Sequence, residues 1–146
     1  MVNSLRKNSW IIIVLLCIVG GTIYYMVTGG PGFTMGTDTE KIGIVTGSQE
    51  SNTSLFIYYD DMESVELIDT PESFGTAVSE NAGHNTVYGT YKNDEYGTYD
   101  VYVYTKVEQC VKVVYKDGVL LVNDSNKSKT NTLFKTLSEK SGKGEE

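Results

Sequence analysis

The feature that most constrains this chain is an uncharged apolar run near its N-terminus. The run begins at Trp10 and ends at Val27, and its 18 residues (WIIIVLLCIVGGTIYYMV) include no Asp, Glu, Lys or Arg. As a helix rising about 1.5 Å per residue it extends about 27 Å, close to the hydrocarbon thickness of a bilayer. Trp10 at one end and Tyr24 and Tyr25 near the other are typical of the membrane interface. The pattern predicts one transmembrane helix over residues 10–28, which places the lipid bilayer among the partners.

A cleaved signal peptide and a lipoprotein anchor are the alternatives for this run. A signal peptide has a shorter apolar core followed by small residues, whereas bulky residues 23–27 follow here and residues 28–30 (TGG) offer only a weak cleavage site. A lipoprotein would use Cys17, but the large Leu16 precedes it and further apolar residues follow. We therefore favour an uncleaved anchor.

The basic residues predict the orientation of the anchor. Arg6 and Lys7 precede the run, and no Lys or Arg follows it until Lys41. The positive-inside rule places residues 1–9 in the cytoplasm and the rest of the chain outside. We expect a single-pass cell-membrane protein with an extracytoplasmic domain.

Charge limits the ligands of the remaining residues. All 19 Asp and Glu lie after residue 37, against ten Lys, so this part has a formal charge of −9. Nucleic acids and anionic lipid headgroups bind clusters of Lys and Arg. We therefore expect no nucleic-acid partner.

The residues after the anchor predict a mainly β domain. Residues 29–39 are rich in glycine and predict a flexible tether. Residues 71–86 predict a long loop, because they are rich in Gly, Ser, Asn and Glu. Seven segments have strand chemistry: residues 41–46, 54–59, 63–68, 87–92, 99–105, 110–115 and 119–123.

Two of the predicted strands indicate which faces are covered. Val65 and Leu67 alternate with Glu66, which is typical of a half-buried strand. In residues 99–105, valines alternate with tyrosines, so both faces are bulky and we expect both to be covered.

A C-terminal helix follows the strands. Residues 123–126 (NDSN) are typical of a helix N-cap, and Leu133, Phe134 and Leu137 then recur at helical spacing. We expect the helix to end near residue 140, to bury these three side chains and to cover the open end of the sheets. The domain would span residues 40–140, followed by a frayed tail over residues 141–146.

Several segments resemble the bacterial pleckstrin-homology-like domains, many of which follow one or two transmembrane helices. The resemblance rests on residues 60–69 (DDMESVELID), 87–105 (VYGTYKNDEYGTYDVYVYT), 111–123 (VKVVYKDGVLLVN) and 130–137 (TNTLFKTL), and it covers roughly residues 41–140. It implies a partly open barrel of about seven antiparallel strands in two sheets, capped by the C-terminal helix. It implies little about function, because such a fold serves many kinds of ligand.

One ligand of the eukaryotic relatives does not carry over. Their phosphoinositide sites use Lys and Arg around the first hairpin, but here residues 46–53 contain no basic residue and one acid, Glu50. A polyphosphorylated headgroup would lack its cationic partners. We therefore do not expect phosphoinositide binding.

No catalytic, metal or cofactor motif stands out. His84 is the only histidine, so a zinc site would need other partners that the pattern does not supply. Asp60, Asp61 and Glu63 do not match calcium-loop spacing. Cys17 and Cys110 form no metal or redox motif. We expect a chain that is not an enzyme and that holds neither a metal nor another cofactor.

The tyrosines allow two interpretations. Packing across neighbouring strands is favoured. The alternative is a partner-binding surface, with the loop over residues 74–85 as its rim and with the following side chains: Phe74, His84, Tyr88, Tyr91, Tyr102 and Tyr104.

These observations lead to two functional hypotheses. The first is a membrane-anchored, non-enzymatic binding or scaffolding module of the bacterial cell envelope, whose ligand is a protein or peptide. The alternative is an immunity or protective protein against a bacteriocin or another membrane-active peptide, because an acidic domain attracts a cationic peptide.

Overall fold

The computed structural model describes residues 17–20, 32–48 and 51–145. The chain divides into two compact units, Met1–Gly30 and Pro31–Glu146. In the first unit, residues 17–20 are helical and exposed. The rest of the predicted transmembrane helix over residues 10–28, and the predicted cytoplasmic residues 1–9, lie outside the described residues. No helix within the described ranges is long and apolar enough to cross a membrane.

The second unit is mainly β with one C-terminal helix, as predicted. A single 3-10 turn (Tyr59–Asp61) lies between the third and fourth strands. The elements are β1 (Phe33–Thr37), β2 (Lys41–Ser48), β3 (Ser51–Tyr58), β4 (Met62–Asp69), β5 (Thr76–Gly83), β6 (Thr86–Asn93), β7 (Gly97–Tyr104), β8 (Gln109–Tyr115), β9 (Gly118–Val122), α1 (Lys127–Ser141) and β10 (Gly144–Glu145).

The strands form a three-stranded sheet in the order β1-β2-β3 and a seven-stranded sheet in the order β10-β4-β8-β9-β7-β6-β5. The prediction of antiparallel strands alone is wrong, because β7 pairs parallel with β9 and β10 pairs parallel with β4. Within the described residues, no strand pairing joins the two sheets into a closed barrel. The pleckstrin-homology-like arrangement stays a prediction.

All seven predicted strands are confirmed, but three further segments are also strands. Part of the predicted tether over residues 29–39 is β1, because Phe33 is buried and anchors this segment against β2. The predicted loop over residues 71–86 contains β5, which pairs with β6 from Thr76 to Gly83 with one register shift. In the predicted frayed tail over residues 141–146, β10 pairs with Val65 and Glu66.

The seven-stranded sheet is apolar on both faces. One face shares the main core with the inner face of the small sheet and with α1, through Val65, Val113, Leu120 and Leu137. The other face carries a second cluster formed by six buried side chains: Tyr91, Tyr99, Val101, Val103, Cys110 and Leu121. The alternation in β7 therefore has the predicted consequence that both of its faces are covered.

Capping residues define the ends of α1. The Asn126 Oδ1 accepts a hydrogen bond from the Lys129 N–H at 3.0 Å, which satisfies one of the free donors of the first turn. At the other end Gly142 has a φ of 67°, and its N–H donates to the Ser138 carbonyl at 2.9 Å. Leu133 and Leu137 are buried and Phe134 is half-buried, which confirms the predicted apolar side of the helix.

Candidate functional site

The three-stranded sheet has one buried and one exposed face, and the exposed face carries aromatic side chains. Ile42, Ile44 and Ile57 point into the main core. Because successive residues of a strand point to opposite faces, their neighbours point outward, and Phe56 is 52% and Tyr58 45% exposed. We call the outward-facing set formed by Gly36, Lys41, Gly43, Val45, Phe56 and Tyr58 the aromatic face.

Strand register brings the members of the aromatic face together. Lys41 lies opposite Tyr58, and Gly43 lies between Gly36 and Phe56. The Lys41 Nζ is 5.1 Å from the centroid of the Phe56 ring and 5.3 Å from that of Tyr58. Both distances suit a cation–π contact. The two rings therefore already accommodate one cation.

Gly36 and Gly43 add no side chain to the aromatic face. A Cβ added at Gly43 would lie 3.0 Å from the Phe56 ring, so the ring rests on the backbone of β2. A Cβ added at Gly36 would have no neighbour within 4 Å. A shallow cleft of about 430 Å³ follows this glycine row past Phe56, and it is also lined by Thr34, Met35, Thr37 and Asp38.

The turn between β1 and β2 is held by hydrogen bonds. The Asp38 Oδ1 accepts from the N–H groups of Glu40 at 2.7 Å and Lys41 at 2.8 Å, and these donors lower the pKa of Asp38. The Tyr59 hydroxyl donates to the Lys41 carbonyl at 2.9 Å, and Lys140 of α1 donates to the Asp38 carbonyl. The end of the cleft is therefore tied to the core.

Three of the predicted partner-binding residues lie together on the core side of the sheets. Tyr88 and Tyr102 are buried with near-parallel rings, 6.3 Å between centroids. Tyr104 is half-buried, and its ring lies 5.6 Å from that of Phe33. Phe33 also contacts both other tyrosines edge-on, which explains why a short glycine-flanked segment forms β1.

The other three predicted residues lie elsewhere. Tyr91 is buried in the second cluster, where its ring is 5.6 Å from that of the half-buried Phe74. His84 is exposed in the turn between β5 and β6. The six residues therefore do not share one face. Core packing explains the buried tyrosines. Binding by the exposed His84 stays a prediction.

The sequence of β3 contains a signal for the aromatic face. In β3 the residues Leu55 and Ile57 alternate with Phe56 and Tyr58. Apolar residues on both faces of a strand predict burial on both sides, yet the outer side of β3 is exposed. An exposed aromatic pair of this kind is typical of an interaction surface.

A second cleft lies between the loop after β4 and the loop after β7. Its volume is about 530 Å³, and it is lined by Asp69, Thr70, Pro71, Glu72, Phe74, Thr105, Lys106, Val107 and Glu108. Thr70 ties the two loops together, since its hydroxyl donates to the Val107 carbonyl at 2.8 Å. Across the described ranges, no group of three His, Cys, Asp or Glu side chains is placed to hold a metal ion.

Cys110, the cysteine of the β domain, is poorly suited to act as a nucleophile. Cys110 is free and buried in the second cluster. Burial raises the pKa of Cys110 to about 11, because the thiolate would lose its hydration. The thiolate is the nucleophilic form of cysteine, so Cys110 is an inert part of the core.

Comparisons with protein-family models, with curated proteins and with solved structures found no match to this chain.

Proposed function

We propose that this chain is a non-enzymatic binding module held at the cell membrane by an N-terminal transmembrane helix, with a protein or peptide as its ligand. The single observation that carries the proposal is the aromatic face. Its exposed apolar side chains lie on strands rather than on loops, and the opposite side of the same strands is buried in the main core. Exposed apolar patches on a rigid scaffold mark interaction sites.

The form of the aromatic face favours a polypeptide ligand. Phe56 and Tyr58 provide large contact areas, and aromatic residues are enriched at the energetic centres of protein interfaces. The cleft beside them is open and shallow, whereas small-molecule sites usually enclose their ligand. Gly36, where an added Cβ would have no neighbour within 4 Å, leaves space for the backbone of an extended chain.

The same proposal includes the placement of the domain. The uncharged run from residue 10 to residue 27 supports the anchor, and Arg6 and Lys7 before it support an extracytoplasmic domain. The segments that resemble bacterial pleckstrin-homology-like domains support that fold. The polar groups at the aromatic face, Lys41 over two rings and Asp38 within a turn, support binding rather than catalysis.

Site-specific photo-crosslinking in membranes of the source cells tests the proposal. A photo-reactive phenylalanine analogue replaces Phe56 in one variant and Glu63, an exposed residue of β4, in the matched control. We expect an adduct of defined mass from position 56 that disappears when Tyr58→Ala is added. Equal adducts from both positions, or an adduct that Tyr58→Ala leaves unchanged, would contradict the proposal.

Charge favours one second candidate, protection against a cationic membrane-active peptide. Residues 69–105 contain six Asp or Glu and a single Lys. Such a local field concentrates cationic ligands. Deleting the gene should then increase sensitivity to a cationic peptide, and unchanged sensitivity across a panel of such peptides would exclude this candidate.

A further inference from the structure

The outer edge of β5 is a second surface with binding capacity. β5 is eight residues long, pairs with β6 on one side, and is the last strand of its sheet in the described part of the chain. Seven of its eight residues are exposed, and Val78 is 63% exposed. Alternate residues of an edge strand direct their N–H and C=O groups away from the paired strand. We call this outward side the β5 edge.

The β5 edge lacks most of the devices that protect edge strands. Natural edges are usually short, carry Lys or Pro, or are covered. The sequence of β5 (TAVSENAG) contains no Lys, Arg or Pro, and its side chains are mostly small. Its one irregularity is a register shift between Ala77 and Ser79. At the other end of the sheet, β10 has only two residues.

Glu80 is the single charged side chain of β5, and a hydrogen bond holds its position. The buried Tyr91 donates its hydroxyl proton to the Glu80 Oε2 at 2.8 Å. Gly89 lies opposite Glu80 and places no side chain between the two groups. Burial and this hydrogen bond raise the pKa of Tyr91, so its hydroxyl stays protonated as the donor. This hydrogen bond therefore fixes the position of the one carboxylate that β5 carries.

The charge around the β5 edge selects its ligand. The six acids and one Lys of residues 69–105 surround β5 in the sequence and include Asp94, Glu95 and Asp100 of the adjoining hairpin. β3 is also an edge strand, but residues 41–59 contain one Lys and one Glu and no net charge. A cationic strand is therefore complementary to the β5 edge and not to β3.

We propose that the β5 edge binds an extended basic segment of a partner polypeptide as an added strand, with Glu80 paired to a Lys or Arg of that segment. Main-chain hydrogen bonds give such complexes their affinity, and side chains at alternate positions give specificity. This inference rests on the proposed function only in that both describe a polypeptide-binding domain, since the aromatic face lies on the other sheet.

The test uses the full chain in neutral detergent and labelled ten-residue peptides of alternating Lys and Val. A second peptide has Glu in place of Lys, and a third has the basic sequence with every backbone amide nitrogen methylated. The third retains all charges but loses backbone donors. We expect the basic peptide to bind, the acidic peptide not to bind, and methylation to weaken binding about tenfold or more.

Two charge reversals locate the site. Glu80→Lys and Glu63→Lys change the net charge equally, but Glu63 lies in β4, separated from β5 by four strands of the sheet. We expect Glu80→Lys to weaken binding about tenfold and Glu63→Lys to weaken it about twofold or less, as for a distant screened charge. Equal weakening by both variants, equal binding of the methylated peptide, or no binding of the basic peptide would each overturn the proposal.

The same titrations separate this inference from the proposed function. Phe56→Ala with Tyr58→Ala alters the aromatic face but leaves β5 unchanged, so we expect basic-peptide binding to persist in that variant. Loss of binding there would place the peptide on the aromatic face and overturn the β5 proposal while supporting the other. Failure of the crosslink at Phe56 together with normal peptide binding would contradict the proposed function of the aromatic face and support the β5 proposal.

Discussion

The three-stranded sheet carries Phe56 and Tyr58 on its solvent side. In the seven-stranded sheet, by contrast, the tyrosines of β6 and β7 pack into the hydrophobic clusters on its two faces. Tyr58 is 45% exposed, while Tyr102 is 5% exposed. The same residue type therefore has two roles, set by whether another layer lies over the strand. Among the described residues, one layer covers the small sheet and its other face is exposed. The large sheet has two clusters and presents its free backbone groups at the β5 edge.

The largest expected difference between the sheets is in stability. Tyr102→Ala removes a buried ring from the main core and should lower the free energy of unfolding by about 3 kcal/mol or more. Tyr58→Ala should change it by about 0.5 kcal/mol or less, as for an exposed position. Urea unfolding of both variants in the same detergent measures the difference. Similar losses for the two variants would contradict the contrast between the sheets.

The next largest expected loss of stability concerns a buried side-chain amide in the large sheet. Asn123 is fully buried, accepts from the Tyr104 N–H at 2.6 Å, and donates to the Tyr104 and Gln109 carbonyls at 3.2 Å. It therefore links the ends of β7, β8 and β9. Asn123→Ala removes these three part-buried hydrogen bonds and should cost about 2 kcal/mol or more.

Asn126→Ala is the matched control for that substitution. It removes only the exposed N-cap of α1, and should cost about 1 kcal/mol. The comparison uses the midpoint of urea unfolding for both variants. If Asn123→Ala were no more destabilising than Asn126→Ala, the buried network would not hold the large sheet together.

Alkaline pH should destabilise the main core through Tyr102. Burial raises the pKa of Tyr102 to about 12, from an ordinary value of 10.0. Below pH 10 both states keep this proton, whereas between pH 10 and 12 the unfolded chain loses it first. The stability associated with Tyr102 is therefore fully present below pH 10 and is lost as the pH rises to about 12. We expect Tyr102→Phe to reduce the fall in urea midpoint across this interval, and an unchanged slope would exclude this cause.

The smallest expected effect concerns the glycines of the aromatic face. Gly43→Ala places a methyl group against the Phe56 ring, so the ring and the nearby Lys41 should shift with a cost of about 1 kcal/mol or less. Gly36→Ala adds the same methyl group where no atom lies within 4 Å. NMR spectra should show shifts of the Phe56 ring signals for the first variant alone. Equal shifts for both variants would mean that the ring does not rest on Gly43.

Local patterns predicted much of this architecture, and the exceptions share a physical cause. Residues 63–68 and 99–105 alternate clearly, and both form strands with the expected faces. β5 has no such pattern, because Ser79, Glu80 and Asn81 gain nothing from burial and form a strand only by pairing with β6. β1 depends on Phe33, which contacts rings more than 50 residues away in sequence.

The candidate site was harder to predict than the fold. Tyr88, Tyr91 and Tyr102 have the composition of a binding surface, but the layers that cover them come from distant segments. β7 also pairs parallel with β9, and no local signal in the sequence encodes that pairing. Leu55 and Ile57 alternate with Phe56 and Tyr58 in the sequence, but only the tertiary structure shows that Phe56 and Tyr58 are exposed on the outer side.

The central claim is that the free aromatic surface lies on the small sheet and that the tyrosines of the large sheet are core. Photochemically induced nuclear polarisation measures this directly, because a dissolved flavin dye polarises only those tyrosine rings that it can reach. In the full chain we predict a strong Tyr58 signal, identified by its loss in Tyr58→Phe, and no signal from Tyr91 or Tyr102, which are 3% and 5% exposed. Polarisation of Tyr91 or Tyr102 comparable to that of Tyr58, or a silent Tyr58, would contradict the account.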